Sequence, residues 1–148
     1  LDNLEFLLDA TQFNVNDGSV TIPLLSVAAK AGQKHVLPLL LRRGALIQSR
    51  DFQGVVDAAR CNHREIVEYF LEAAAKLPMS EETKGRDATP PAMLARAHAL
   101  RGALEFGHSD LFRRLLHGDH KIDELGLADQ SLLSFAIASC SLDMMRLV

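Results

Sequence analysis

Two stretches of this chain decide its fold, because one repeats the other. The first is Gly32-Gln33-Lys34-His35-Val36-Leu37-Pro38-Leu39-Leu40-Leu41-Arg42-Arg43-Gly44-Ala45. The second is Asn62-His63-Arg64-Glu65-Ile66-Val67-Glu68-Tyr69-Phe70-Leu71-Glu72-Ala73-Ala74-Ala75. Set side by side, their apolar residues fall in the same columns. Val36, Leu39, Leu40 and Arg43 recur at helical spacing, as do Ile66, Val67, Phe70 and Leu71, with Glu65, Glu68 and Glu72 on the opposite face. Each stretch therefore predicts one amphipathic helix, and the repetition predicts more than one copy of a unit.

The same columns continue in both directions. A third copy is Gly107-His108-Ser109-Asp110-Leu111-Phe112-Arg113-Arg114-Leu115-Leu116. A fourth, Cys140 to Val148, stops at the chain end, and another, Leu4 to Ala10, lacks its front. Leu7 to Leu40 and Gly107 to Cys140 are both offsets of 33. Gly32 to Asn62 is 30, so that unit is three residues short; Asn62 to Gly107 is 45, so an insertion of twelve lies between. A second helical column precedes each copy: Leu24 to Ala29, Ala58-Ala59 and Ser131 to Ile137.

Local signals place the ends. Gly44 and Gly118 stand where helices should stop, since glycine takes the left-handed turn at little cost. Ser109 and Ser141 are candidate N-caps, with Asp110 and Asp143 suited to a helix start. Thr89-Pro90-Pro91 opens a helix over Ala92–Phe106, with proline in the first turn. Pro38 falls near the fourth position of its helix, where it can kink the first turn. The unit around Asp51–Ala75 is expected to have a short or frayed first helix. The stretch Lys76–Thr89 is polar and aperiodic, holds Pro78 and Gly85, and reads as a surface loop.

The pattern resembles ankyrin repeats. The residues that carry the likeness are Ala28-Ala29, Gly32, Leu39-Leu40-Leu41 and Gly44-Ala45, the turn Asp51-Phe52-Gln53-Gly54, and the histidines His63 and His108 in the Gly-His column. The Thr-Pro-Leu-His stretch of that family is altered throughout, to Pro23-Leu24-Leu25-Ser26 and Ser131-Leu132-Leu133-Ser134. The resemblance implies an all-α solenoid of antiparallel helix pairs. It forms one domain over 1–148, about five units with the first and last incomplete. Their bounds are 1–16, 17–47, 48–77, 90–122 and 123–148, with the insertion loop at 76–89. Each unit leaves an apolar face that only a stacked neighbour covers. Both chain ends fall inside a helix pair, so the chain reads as a piece of a longer protein.

Composition agrees. By count, 25 Leu and 19 Ala supply 44 of 148 residues, while aromatics are 5% with no Trp. Leu and Ala favour helices, and Ala lets them approach closely. A net charge of -3 offers no bulk positive field for nucleic acid or anionic membrane. No apolar run approaches the roughly 20 residues of a membrane helix. Cys61 and Cys140 stand 79 positions apart, in no metal-type spacing. They read as reduced core or near-core residues of a cytoplasmic or nuclear protein.

Candidate chemistry is sparse. His117-Gly118-Asp119-His120 with Asp123 is the densest set of potential metal ligands, but Gly118 places it in a turn. Cys61 and His63 offer a thiol–imidazole pair. The resemblance instead gives His63 a structural role, its ring bonding backbone. Glu81-Glu82 lie in the insertion, and no phosphate loop, Gly-x-Ser-x-Gly or His-Glu-x-x-His is present. Arg42-Arg43 and Arg113-Arg114 suit helix C-termini, or a basic stripe for an acidic partner.

The expected function is therefore a protein–protein interaction module without catalysis, cofactor or metal. A spacer segment of a larger protein is the alternative, and an enzyme using Cys61/His63 or a metal at His117/His120 is a third reading. The resemblance implies binding through turn tips and first helices. By column the tips are Asn16, Asp17, Ser19, Gln48, Arg50, Phe52, Gln53, Asp123, Glu124 and Leu125; the first-helix positions are Lys30, Arg60, Glu105 and Phe106. Phe52 is the expected anchor, as an aromatic in a turn where the pattern asks for a polar residue, with a contact under the adjacent short helix as the alternative reading. The partner is another protein, with no nucleic acid and no membrane insertion.

Overall fold

The computed structural model describes residues 5, 6, 8, 10, 14–16, 22–48, 52–78 and 89–116. Among these, all regular structure is helical. The helices are α1 (Leu24–Lys30), α2 (Leu37–Arg42), α3 (Gln53–Arg60), α4 (Arg64–Ala75), α5 (Pro91–Glu105) and α6 (Ser109–Leu116). A 3-10 turn over Lys34–Val36 leads into α2. No helix among the described residues is long and apolar enough to cross a membrane.

Each odd-numbered helix ends in the same turn. After α1, Gly32 takes φ 72° and the N–H of Gln33 donates to Ala28 O at 2.9 Å. After α3, Asn62 takes φ 57° and His63 N–H donates to Ala58 O at 2.9 Å. After α5, Gly107 takes φ 71° and His108 N–H donates to Ala103 O at 2.9 Å. This is the left-handed cap that satisfies the last carbonyls of a helix and reverses the chain. Asparagine is the non-glycine residue that best tolerates this conformation, which is why Asn62 can stand in the glycine column. Gly44 (φ 85°) ends α2 in the same way, with Ala45 N–H on Leu40 O.

The reversal brings each following helix back onto the one before it. α1 packs on α2, α3 on α4, and α5 on α6. Helix α3 also touches both α1 and α5, and α4 packs on α5. The core runs continuously through these layers. Leu25, Ala29, Leu37, Leu39, Leu40, Val55, Ala58, Ala59, Val67, Phe70, Leu100, Ala103, Leu104, Leu111 and Phe112 are all buried. Ala-rich columns set how close the odd helices come. At Gly102 of α5, an added Cβ would lie 2.9 Å from Val56 O and 3.1 Å from Ala59 Cβ of α3. Burial of a side chain such as Phe70 contributes about 1.5–3 kcal/mol.

Several expectations are corrected. The helix α3 has eight residues, one more than α1, against fifteen in α5. Phe52 takes the left-handed conformation (φ 58°) immediately before α3. Relative to α1, the missing residues therefore come out of the connection and not out of the helix. Pro38 is the second residue of α2, which begins at Leu37 directly after the 3-10 turn. Proline thus sits in the first turn, where its missing N–H is not needed. The helix of the third copy starts at Ser109 itself, preceded by His108, so Ser109 is not an N-cap. Cys61 is exposed, not core, because it occupies the turn after α3. The helix after Thr89-Pro90-Pro91 runs Pro91–Glu105, one residue earlier than expected at each end. Most of the insertion and of unit 1–16, the whole of unit 123–148 with Cys140 and Ser141, and Gly118 lie outside the described residues.

Candidate functional site

The odd-numbered helices present one outward face, and its chemistry is built from helical spacing. On α5, Leu94, His98, Arg101 and Glu105 fall at successive turns of one side. On α3 the same side carries Gln53, Asp57 and Arg60, and on α1 it carries Val27, with Lys30 beside it.

Two polar clusters stitch this face together. Ser26 of α1 is fully buried and its hydroxyl donates to Asp57 Oδ2 of α3, 31 positions away. Gln53 Nε2 donates to Asp57 Oδ1 at 3.1 Å, so both carboxylate oxygens have a donor. A buried carboxylate is tolerated only when bonded in this way. Next to it, Arg60 grips Glu105 of α5 with two nitrogens, NH2 to Oε2 at 2.7 Å and Nε to Oε2 at 3.2 Å, and NH2 also reaches Oε1 at 3.0 Å. The Arg60 guanidinium also lies 5.4 Å from the centre of the Phe106 ring and 3.9 Å from Asp57 Oδ1. The planar fork of arginine suits both the carboxylate and the ring.

Beneath the face, two histidine rings reach the backbone of the preceding odd-numbered helix. His63 Nε2 lies 3.2 Å from Lys30 O, and His108 Nε2 lies 2.7 Å from Arg60 O. With Nε2 protonated, each ring donates to the last-turn carbonyl of the preceding odd helix, one of the acceptors that a helix end leaves open. Gly32 leaves room for this latch, since a Cβ there would meet His63 Cε1 at 3.0 Å. His63 is thereby occupied structurally, as expected, and the exposed thiol of Cys61 stands in the turn beside it. Among the described residues there is no group of three His, Cys, Asp or Glu that could hold a metal ion. His117, Asp119, His120 and Asp123 lie outside the described residues, as do Glu81 and Glu82.

The even-numbered helices and the 3-10 turn before α2 carry a separate set of ion pairs: Lys34–Glu65 at 2.9 Å, Arg64–Asp110 at 3.4 Å and Arg114–Glu68 at 2.8 Å. The hydrogen bond and charge of Lys34 hold the Glu65 carboxyl below its ordinary range. Arg43 pairs with Glu5 at 3.7 Å. One arginine of each expected basic pair is therefore already engaged, while Arg42 and Arg113 stay exposed. A mostly apolar cavity of about 480 Å³ lies at the far end of these helices, between Leu46 and Ile47 and the residues Tyr69, Ala73 and Leu77 of α4 and its end.

The structure gathers some expected site residues and separates others. Arg60, Glu105 and Phe106 form one cluster, Gln53 joins it through Asp57, and Lys30 is exposed on the neighbouring helix. Gln48 is exposed but lines the cavity on the other side. Asn16 is not a free tip. Its Nδ2 donates to Gly44 O at 2.6 Å and its Oδ1 accepts from Leu46 N–H at 2.9 Å, so it clamps one turn to the next. Phe52 is not an exposed anchor: it is 5% exposed and stacks on His98 of α5 with ring centres 5.6 Å apart. The left-handed turn points its ring inward under α3, where it fills the space between units. Asp17, Ser19, Arg50, Asp123, Glu124 and Leu125 lie outside the described residues. Sequence reasoning missed Ser26, Asp57, Val27, Leu94 and Arg101. The spacing Leu94/His98/Arg101/Glu105 was there to be read, but the bond from Ser26 to Asp57 needed the stacking.

Comparison with family models, with curated proteins and with solved structures found no match for this chain.

Proposed function

We propose that this chain is a stack of ankyrin-type helix pairs serving as a protein–protein interaction module, without catalysis. The observation that carries the reading is the repeated latch. His63 on Lys30 O and His108 on Arg60 O occupy equivalent columns, each one residue after a left-handed cap. A repeated latch supports a repeated unit, and stacked units yield an extended surface rather than an enclosed pocket. On this reading the partner is another protein and the binding residues are Lys30, Arg60, Glu105 and Phe106, with the turns beside them. The chain's setting is cytoplasmic or nuclear.

The spacer reading competes with this one. The exposed apolar groups on the odd-helix face favour the module: Val27 is 49%, Leu94 37% and Phe106 54% exposed. A spacer surface has no reason to keep them. Catalysis by Cys61 and His63 is disfavoured, because the His63 ring is already committed to Lys30 O.

The test is a quantitative pull-down with the 148-residue chain, Val27→Asp, Phe106→Ala, and Arg113→Glu on the outer row as control. The module reading expects proteins recovered by wild type and by Arg113→Glu but lost with both face variants. Equal recovery by all four proteins rejects the face, and recovery of nothing above the bare matrix favours the spacer.

A further inference from the structure

We infer that Asp57 is a positioning residue for the Arg60–Phe106 part of the face, and that Ser26 of α1 sets the pose of Arg60 through it; this deepens the module reading above and rests on it only for what the pose serves. Four polar side chains on three helices touch in sequence: Ser26 on α1, Asp57 and Arg60 on α3, and Glu105 on α5. The Ser26 hydroxyl donates to Asp57 Oδ2, and Asp57 Oδ1 lies 3.9 Å from Arg60 Nη1. Nε and Nη2 of the same guanidinium donate to Glu105.

The planarity of the guanidinium gives Asp57 its role. The bonds to Glu105 occupy one edge of the group, and the plane can still roll about that edge. Nη1 stands off the edge, and it is the nitrogen nearest Asp57. The charge of Asp57 therefore selects the roll, and the selected roll lays the guanidinium over the Phe106 ring, 5.4 Å from its centre. Asp57 is suited to this task. It is 7% exposed, and donors from Ser26 and Gln53 fix its two oxygens. The field of a carboxylate so sheltered is screened far less than that of an exposed one. Among the described residues it is the one buried carboxylate.

Ser26 connects this device to α1. It is fully buried and supplies the one donor to Asp57 that comes from another helix, since Gln53 belongs to α3 itself. Without the Ser26 hydroxyl, Oδ2 is left with no donor in a buried place, which is costly. The Arg60 guanidinium is then the donor at hand, and the carboxylate turns toward it and competes with Glu105. A change on α1 thereby reaches α5. The close approach at Gly102 keeps the far end of the path in register, because Glu105 stands one turn after it on α5. In the module reading, an Arg60–Phe106 pair held in pose beforehand has less freedom to lose when a partner arrives.

The test uses NMR on the free 148-residue chain and follows the Arg60 Nε–Hε resonance and the Phe106 ring resonances. Wild type is compared with Ser26→Ala and with Leu25→Ala. Leu25 is buried at the next position of the same helix and carries no polar group, so its truncation loosens packing without touching the hydrogen bonds. Ser26→Ala is expected to shift both sets of resonances, and Leu25→Ala to leave them in place while lowering the urea midpoint. Gln53→Ala, which removes the other donor of Asp57, serves if Ser26→Ala does not fold. Urea unfolding of Ser26→Ala, Glu105→Ala and the double variant completes a cycle. It is expected to depart from additivity by more than about twofold in the unfolding constant, the scatter of independent sites. Arg60 and Phe106 signals unmoved by Ser26→Ala, or moved equally by Leu25→Ala, overturn the inference, and so does an additive cycle. None of these readouts involves a partner, so the module reading stands or falls separately, by the pull-down.

Discussion

Replacing Gly102 by alanine tests how closely α3 and α5 approach. Two effects oppose each other. Alanine in a helix interior is favoured over glycine by about 1 kcal/mol. Against that, the new Cβ would lie 2.9 Å from Val56 O and 3.1 Å from Ala59 Cβ. The first neighbour is backbone and the second is carried rigidly on α3, so neither moves without moving the helix. Such overpacking costs about 1–3 kcal/mol. The steric term wins, and Gly102→Ala should be less stable than wild type by about 1 kcal/mol. Gly54→Ala supplies the control. Its Cβ would meet Phe70 Cζ at 3.4 Å and Leu25 backbone at 3.6 Å, ordinary contact distances, so the helical gain of about 0.5 kcal/mol should survive. Urea unfolding followed by circular dichroism gives both values, provided the slope stays constant. In thermal unfolding the two variants should separate by roughly 3–6 °C. Should Gly102→Ala prove as stable as Gly54→Ala, the close α3–α5 approach is not there.

The remaining predictions concern single contacts. Ser26→Ala removes a donor from buried Asp57 and should cost about 1–3 kcal/mol, read as a lower urea midpoint; an unchanged midpoint would mean the carboxylate is solvated. Phe52→Ala should destabilise by about 3–5 kcal/mol, as expected of a ring 5% exposed, whereas a merely exposed anchor would leave the melting temperature unchanged. Glu65 has a lowered folded-state carboxyl value, so its pairing is fully formed above the ordinary carboxyl range and fades as pH falls through the folded value. Lys34→Met should therefore move the Glu65 titration upward when followed by NMR, and an unmoved titration would deny the Lys34 contact.

The period was legible because identical columns recur, and columns depend on local helix geometry alone. From it came the helices, the Gly44 stop, the proline-led α5 and the place of the His63 ring. What stayed hidden depends on contacts between units. Phe52 reads as exposed when its turn is scanned for polarity. Its direction is set by a left-handed backbone angle and by His98, which lies 46 positions on. Asn16 reads as a tip for the same reason, until its amide is seen to clamp Gly44 and Leu46. The site was half visible. Arg60, Glu105 and Phe106 share columns with Lys30 and Cys61, but their joining required knowing that α3 and α5 are neighbours across the insertion.

The central claim is that consecutive helix pairs are stacked and latched through histidine. The nuclear Overhauser effect between His63 Hε1 and the Gly32 Hα protons tests it most directly. The ring carbon lies 3.0 Å from where a Gly32 Cβ would stand, so the account predicts a strong cross-peak between residues 31 positions apart. With both resonances assigned, the absence of that cross-peak would contradict the stacked arrangement.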